Sequence, residues 1–297
     1  MNSGRHIVRV IANVAVSLLT LVPSLAQQKP DLDPQGLVRR AAGNEIRANS
    51  YHQYFMYRDN VEYKTHSITK EVLETPEGSL SSTIAINGQP LTSDQRAKDN
   101  QKLAKFANDP EARRKKEESS REDGERERLM LSSLPDAFVY TYAGTQAGPD
   151  GNELVRLTFK PNPNFSPPNH ETRVYQGMQG DILIDRKALR IAKLDGTLFK
   201  DVDFGWGILG RLYKGGRFYI EQRDVGNGRW ETVRETLEFY GKILMIKPFT
   251  IYSTETATDF RPVPANLTVA QALDLLHKSD QTIAQNEGAT KEGSSSH

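Results

Sequence analysis

Behind Asp33-Pro34 the apolar residues Leu37, Val38, Ala41, Ala42 and Ile46 recur at helical spacing, which predicts an amphipathic helix opened by an N-cap and a proline in its first turn. The pattern then changes. Tyr51–Tyr57 and the stretch around Val61–Leu73 are rich in aromatic and β-branched residues and predict strands joined through Arg58-Asp59-Asn60. Ser79–Ile86 continues the pattern, ahead of an Asn87-Gly88 turn. Thr92-Ser93 caps a helix carrying Leu103, Phe106 and Ala107, and Asp109-Pro110 restarts a second helix straight after it.

From Arg113 to Arg128 no apolar residue occurs. Glu117/Arg121 and Glu122/Arg126 are favourable i,i+4 pairs worth a few tenths of a kcal/mol each, so this stretch is expected to be a solvated or frayed helix, interrupted at Gly124. Leu129–Leu134 returns to apolar residues and should dock on the core. Phe138–Tyr142 and Leu154–Phe159 predict paired strands around Gly148-Pro149-Asp150-Gly151. Four prolines between Lys160 and His170 exclude both helix and central strand there.

From Gly180 to Phe260 alternation predicts a meander: Asp181–Asp185, Arg190–Phe199 with a bulge at Gly196, Arg217–Arg223 after Gly215-Gly216, and Arg229–Tyr240 after Asn227-Gly228. Ile243–Lys247 and Phe249–Thr258 complete it as two further strands. Thr268 caps a last helix with Val269, Ala272, Leu273 and Leu276.

The N-terminus adds a destination. Arg5 and Arg9 precede the apolar run Ile11–Leu21, which ends at Ser24-Leu25-Ala26, the layout of a secretory signal peptide over residues 1–26. The expected organisation is that leader, one α+β domain over 27–280 with a helical insertion at 92–134, and a disordered tail over 281–297. The chain of 297 residues has no cysteine, which points to a periplasmic domain without disulfides or a lipidated N-terminal cysteine. Its formal charge is +1, and loss of Arg5 and Arg9 leaves −1, so no electrostatic case for nucleic acid arises.

Candidate chemistry is sparse. Gly205-Trp206-Gly207-Ile208-Leu209-Gly210 fits G-x-G-x-x-G, yet only Arg211–Lys214 separates it from Gly215-Gly216, too short for the phosphate-binding helix. The histidines His52, His66, His170 and His277 are scattered, and without cysteine no metal site is expected. Asp201 and Asp203 would share a strand face as paired carboxylates, but an exposed turn is the favoured reading. There is no G-x-S-x-G elbow, no P-loop and no Ser-His-Asp order, so neither enzyme activity nor a cofactor is expected.

Element order, together with Gly180-Asp181-Ile182-Leu183-Ile184-Asp185, Arg190-Ile191-Ala192-Lys193-Leu194 and Gly241-Lys242-Ile243-Leu244, resembles the LolA/LolB superfamily of periplasmic lipoprotein carriers, which includes the N-terminal domain of RseB-type regulators. The likeness covers residues 171 to 263 best, while the insertion at 92–134 and the proline loop lie outside it. The resemblance implies an α+β, mainly antiparallel fold: an unclosed half-barrel with covering helices. It also implies a cavity that holds a lipid or acyl chain, without catalysis or cofactor. Trp206, Ile208, Leu212, Phe218, Ile220 and Trp230 are the candidate lining residues. The alternative is an envelope regulatory or scaffolding protein that binds a partner through the charged helix and the sheet edge.

Overall fold

The computed structural model describes residues 33–48, 53–204, 210–244 and 246–294, with side-chain surroundings as far as residue 282. The leader and the tail beyond Ser294 lie outside the described residues. In chain order the elements are α1 (Pro34–Ala48), β1 (Tyr54–Tyr63), β2 (Ser67–Leu73), β3 (Leu80–Ile86), β4 (Gln89–Pro90), α2 (Ser93–Ala107) and α3 (Pro110–Ala137). Then follow β5 (Phe138–Ala147), β6 (Glu153–Pro161), a 3-10 helix (Glu171–Gly177), β7 (Met178–Asp185), β8 (Ile191–Leu198), β9 (Val202–Phe204) and β10 (Gly210–Leu212). The last are β11 (Arg217–Asp224), β12 (Trp230–Ile243), β13 (Lys247–Val263) and α4 (Val269–Ser294).

All thirteen strands form one antiparallel sheet in the order β4-β3-β2-β1-β13-β12-β11-β8-β7-β6-β5, with β9 and β10 attached beside β12. Its ends, β4 and β5, do not pair, so the sheet is an unclosed half-barrel carrying helices, the expected α+β architecture. The chain order follows from hairpins wherever Asn-Gly or Gly supplies a left-handed residue, as at Asn87-Gly88 and Asn227-Gly228.

Between its register shifts the pairing carries two rows of residues across the sheet. One row reads Tyr142, Leu157, Ile182, Leu194, Ile220, Glu235, Glu255, Val61, Ile68. The adjacent row reads Tyr140, Phe159, Gly180, Gly196, Phe218, Leu237, Ser253, Tyr63. Opposed residues share a face, so these rows define one surface, here called inner. At the β5–β8 end it is the main core: Leu157, Ile182, Ile184 and Phe159 are buried there, and Phe138 packs on Phe159 at 4.6 Å and on Tyr175 at 5.1 Å. α1 covers this end with Leu37, Val38, Ala41 and Ala42 and is tied to the end of α3 by Arg39–Asp136. Gly180 and Gly196 face each other because a Cβ on Gly180 would come within 1.9 Å of the Asp195 carbonyl oxygen.

A second core lies on the opposite face. Met56, Leu73 and Leu80 are mutually paired and pack with Leu103 and Ala107 of α2 and Val269, Ala272 and Leu276 of α4. Thr92 and Gln95 form a reciprocal capping box on α2, and Arg96 joins Asp280 of α4 at 2.6 Å. Asp99 of α2 accepts hydrogen bonds from the Thr83 amide at 2.8 Å and the Thr83 hydroxyl at 3.1 Å, beside the point where β3 bulges against β2. Asp99→Ala should therefore cost about 1–2 kcal/mol by stranding a half-buried amide, read as a lower urea midpoint with an unchanged slope.

Four expectations are corrected. Arg58-Asp59-Asn60 is the middle of β1, not a joint, because Asp59 is accommodated on the inner face and pairs with Lys70 and Ala257 in register. α3 is continuous through Gly124; Asp109 caps it, and Arg121–Glu125, Arg126–Glu122 and Arg126–Asp123 pairs line its exposed side. Gly196 carries no bulge, since the register shift between β7 and β8 falls at Leu183/Ile184 instead. Ile243–Lys247 is not a separate strand: Ile243 ends β12 and Lys247 begins β13, paired across the hairpin turn, with Leu244 at φ +51°.

Candidate functional site

Along β12 the inner face reads Glu235, Leu237, Phe239, Gly241, Ile243, and along β13 it reads Glu255, Ser253, Ile251, Phe249, Lys247. An apolar strip therefore starts beside two opposed carboxylates and ends at the hairpin turn. β10 extends it sideways, since Leu212 pairs with Gly241 and Gly210 with Ile243, while Phe204 of β9 lies opposite Gly210. Near the turn these side chains bound an open cavity of about 310 Å³ lined by Phe204, Leu212, Phe239, Ile243, Phe249 and Ile251, with Arg211 and Lys242 at its margin. Gly241 is required here: a Cβ would come within 2.7 Å of the Phe249 ring and 2.2 Å of the Arg211 carbonyl oxygen.

The strip differs from the main core in being only half covered. Phe218, Ile220, Leu237 and Phe239 are all of intermediate exposure, whereas their row partners Leu157, Phe159 and Ile182 are buried. Arg211 is held away from the strip by Asp203, with its Nε at 2.6 Å from one carboxylate oxygen.

At the far end of the strip the carboxylates accumulate. Glu235 faces Glu255 in register, Val61 separates Glu255 from β2, and Asp59 is one inner-face step further along β1. Burial pushes the Asp59 carboxyl up to about 6, with the neighbouring Glu255 charge reinforcing the shift and Lys70 opposing it. Burial likewise raises Glu235, helped by Glu255 and by Glu127 of α3. Glu74, hydrogen-bonded to the Phe55 amide, is raised by burial to about 7.

The sequence-selected residues divide by position. Leu212 lines the cavity, and Phe218 and Ile220 continue the same inner face in β11. Trp230 sits at the other end of β12, an odd number of residues from Leu237 and Phe239. It packs against Leu154, Leu183 and Ala192 on the outer face, with the Arg190 guanidinium 5.9 Å from its ring. Trp206 and Ile208 lie outside the described residues. Phe204, Phe239, Phe249 and Ile251 are lining residues that the sequence reading did not select. For Phe239, Phe249 and Ile251 the signal was the apolar alternation of β12 and β13, readable only once the two were known to be one hairpin.

The remaining motifs are absorbed by structure. Gly210 opens a strand, so no helix follows the glycine-rich motif. Asp203 pairs with Arg211, and Asp201 accepts from the Lys214 amide at 2.9 Å. Among the described residues no group of three or more His, Asp or Glu side chains is placed to hold a metal ion, and no helix is long and apolar enough to cross a membrane.

Fold and site together define an α+β half-barrel protein with a half-covered apolar inner strip. No protein-family model and no curated protein matches the chain. Among solved structures it is similar to a DUF1329 family protein from Desulfovibrio piger, at 11% identity and a TM-score of 0.31, over 80% of this chain and 97% of that one. A likeness that slight carries no argument, and the architecture rests on the strand pairing itself.

Proposed function

We propose that this is an exported, non-catalytic binding protein of the periplasm that holds a lipid or acylated ligand along the inner strip. The observation that supports it is the strip itself. Leu212, Leu237, Phe239, Phe249 and Ile251 present contiguous apolar area that is only partly buried among the described residues, bounded by a cavity of about 310 Å³, near the lower limit of small-ligand pockets. From Glu235 to Ile243 the strip runs about 26 Å at ~3.3 Å per residue, which suits an extended acyl chain better than a compact ligand. Affinity would come from apolar burial at roughly 25 cal/mol per Å².

Mass spectrometry of organic extracts from protein purified without detergent tests this directly, paired with uptake of a fluorescent fatty acid. A stoichiometric acyl species and uptake that falls at least about tenfold in Phe239→Glu, with an unchanged circular dichroism spectrum, are the expected results. A clean apo protein that takes up no fatty acid would sink the proposal.

A further inference from the structure

Eight large hydrophobic side chains are exposed among the described residues, and five of them, Ile243, Leu244, Ile246, Ile251 and Tyr252, belong to the β12–β13 hairpin. Leu244 is 63% exposed and Ile246 84% exposed, at its turn. Such a cluster at one point marks an interaction surface.

The hairpin also projects. β1 stops pairing with β13 at Tyr63–Ser253, so among the described residues Lys247–Tyr252 has no strand partner on that side, an overhang of about 20 Å at ~3.3 Å per residue. On the other side β11 ends its pairing at Glu238, and beyond that point β12 is supported among the described residues by the three residues of β10 and by the Tyr213 amide, which donates to the Tyr240 carbonyl at 2.8 Å.

Its turn is chemically unusual. Exposed turns draw on Gly, Asn, Asp, Ser and Pro, yet Ile243, Leu244 and Ile246 stand here, with Leu244 in the left-handed region that a branched side chain disfavours. No acidic residue occurs between Glu238 and Glu255, whereas Lys242 and Lys247 flank the turn on its two strands. Behind them Tyr240 and Tyr252 both lie near the Lys64 ammonium, at 5.7 and 5.9 Å from the ring centres. Aliphatic tip, lysines, then tyrosines is the order in which side chains meet the acyl region, the phosphates and the interfacial zone of one leaflet.

We propose that the hairpin tip docks on an anionic phospholipid bilayer, with Leu244 and Ile246 entering the acyl region and Lys242 and Lys247 meeting lipid phosphates. A projecting apex with a cationic collar suits a surface that can be penetrated. The docking stands independently of what the cavity holds. It adds a geometric consequence, because Ile243, Phe249 and Ile251 serve both the tip and the cavity wall, so a docked protein opens its cavity beside the membrane.

The cysteine-free chain makes the test clean. Full-length protein carrying Ile246→Cys labelled with the fluorophore NBD is mixed with phosphatidylcholine vesicles with or without phosphatidylglycerol, and Lys116→Cys on exposed α3 serves as the reference label. A blue shift at 246 and not at 116, quenched by doxyl groups on acyl chains and dependent on phosphatidylglycerol, is expected. Lys242→Glu combined with Lys247→Glu should weaken the partitioning at 246 on the order of thirtyfold or more. Leu244→Ser combined with Ile246→Ser, two residues outside the cavity wall, should lose vesicle binding while fatty-acid uptake measured without vesicles stays unchanged, which separates failure of docking from failure of acyl binding. An unshifted 246 label, even when the protein floats with the vesicles, overturns the proposal. So does a blue shift in buffer alone that grows with protein concentration, which would assign the tip to a second copy of the chain.

Discussion

Glu45→Ala should destabilise the protein by about 3–5 kcal/mol, the largest single-site effect expected outside the aromatic core. Glu45 comes from the last turns of α1 and is only 3% exposed. Its carboxylate accepts from Arg190 Nε at 2.9 Å, from an Arg190 terminal nitrogen at 2.6 Å and from the Ile191 amide at 2.8 Å. One side chain therefore fixes the helix that seals the main core to the start of β8. Truncation leaves a guanidinium, itself buried, without its counter-charge and an amide without an acceptor; both penalties fall on the folded state alone. The pair itself contributes far less than its rupture costs, because desolvating two ions offsets most of their attraction. The double variant Glu45→Met, Arg190→Met should accordingly recover much of the loss. Urea unfolding decides it: a midpoint for Glu45→Ala close to wild type would mean that the buried pair is dispensable, and a double variant no better than the single would mean that packing, not charge, is at stake.

That ion pair also marks what the sequence could reveal. Caps were legible because they are local: Thr92 with Gln95, Asp109 ahead of Pro110, and Thr268 with Gln271 need only a few neighbouring residues to act. The meander was legible for the same reason, since Gly and Asn at left-handed positions announce their turns. The pairing of Glu45 with Arg190 joins residues 145 apart, and nothing local distinguishes either from a surface charge. β1 was divided at Arg58-Asp59-Asn60 because a buried Asp reads as a loop until its neighbours on β2 and β13 are known. The β12–β13 turn was missed for the opposite reason: its aliphatic residues satisfy strand propensity while serving an exposed apex. In the candidate site, period-two alternation shows which residues share a face of one strand, but not which face is left half covered. Leu212, Phe218 and Ile220 could be selected that way, whereas Phe239, Phe249 and Ile251 required the register.

Asp59→Asn should stabilise the protein by about 2 kcal/mol at pH 8 and leave it unchanged near pH 4. Asp59 is only 8% exposed, and its Oδ1 has no hydrogen-bond partner, while the Glu255 charge acts on it from β13 and Lys70 on β2 is the neighbouring cation that favours its charge; Glu235 and Glu127 of α3 act in turn on the Glu255 end of the row. A carboxyl raised from its ordinary value near 4 to about 6 binds its proton more tightly in the folded than in the unfolded chain. Folding stability from this group is therefore highest on the acid side, falls as pH rises between about 4 and 6, and stays reduced above that window. Glu235 acts in the same direction, and Glu74 extends the decline to about pH 7. The informative quantity is the difference between variant and wild type. Urea titrations of wild type, Asp59→Asn and Glu235→Gln across this range measure it. Curves that run parallel from pH 4 to 8 would show that the acidic row costs nothing when charged. Converging curves would show that the row at the deep end of the apolar strip is held together against its own repulsion, and that it turns markedly less polar as its protons return.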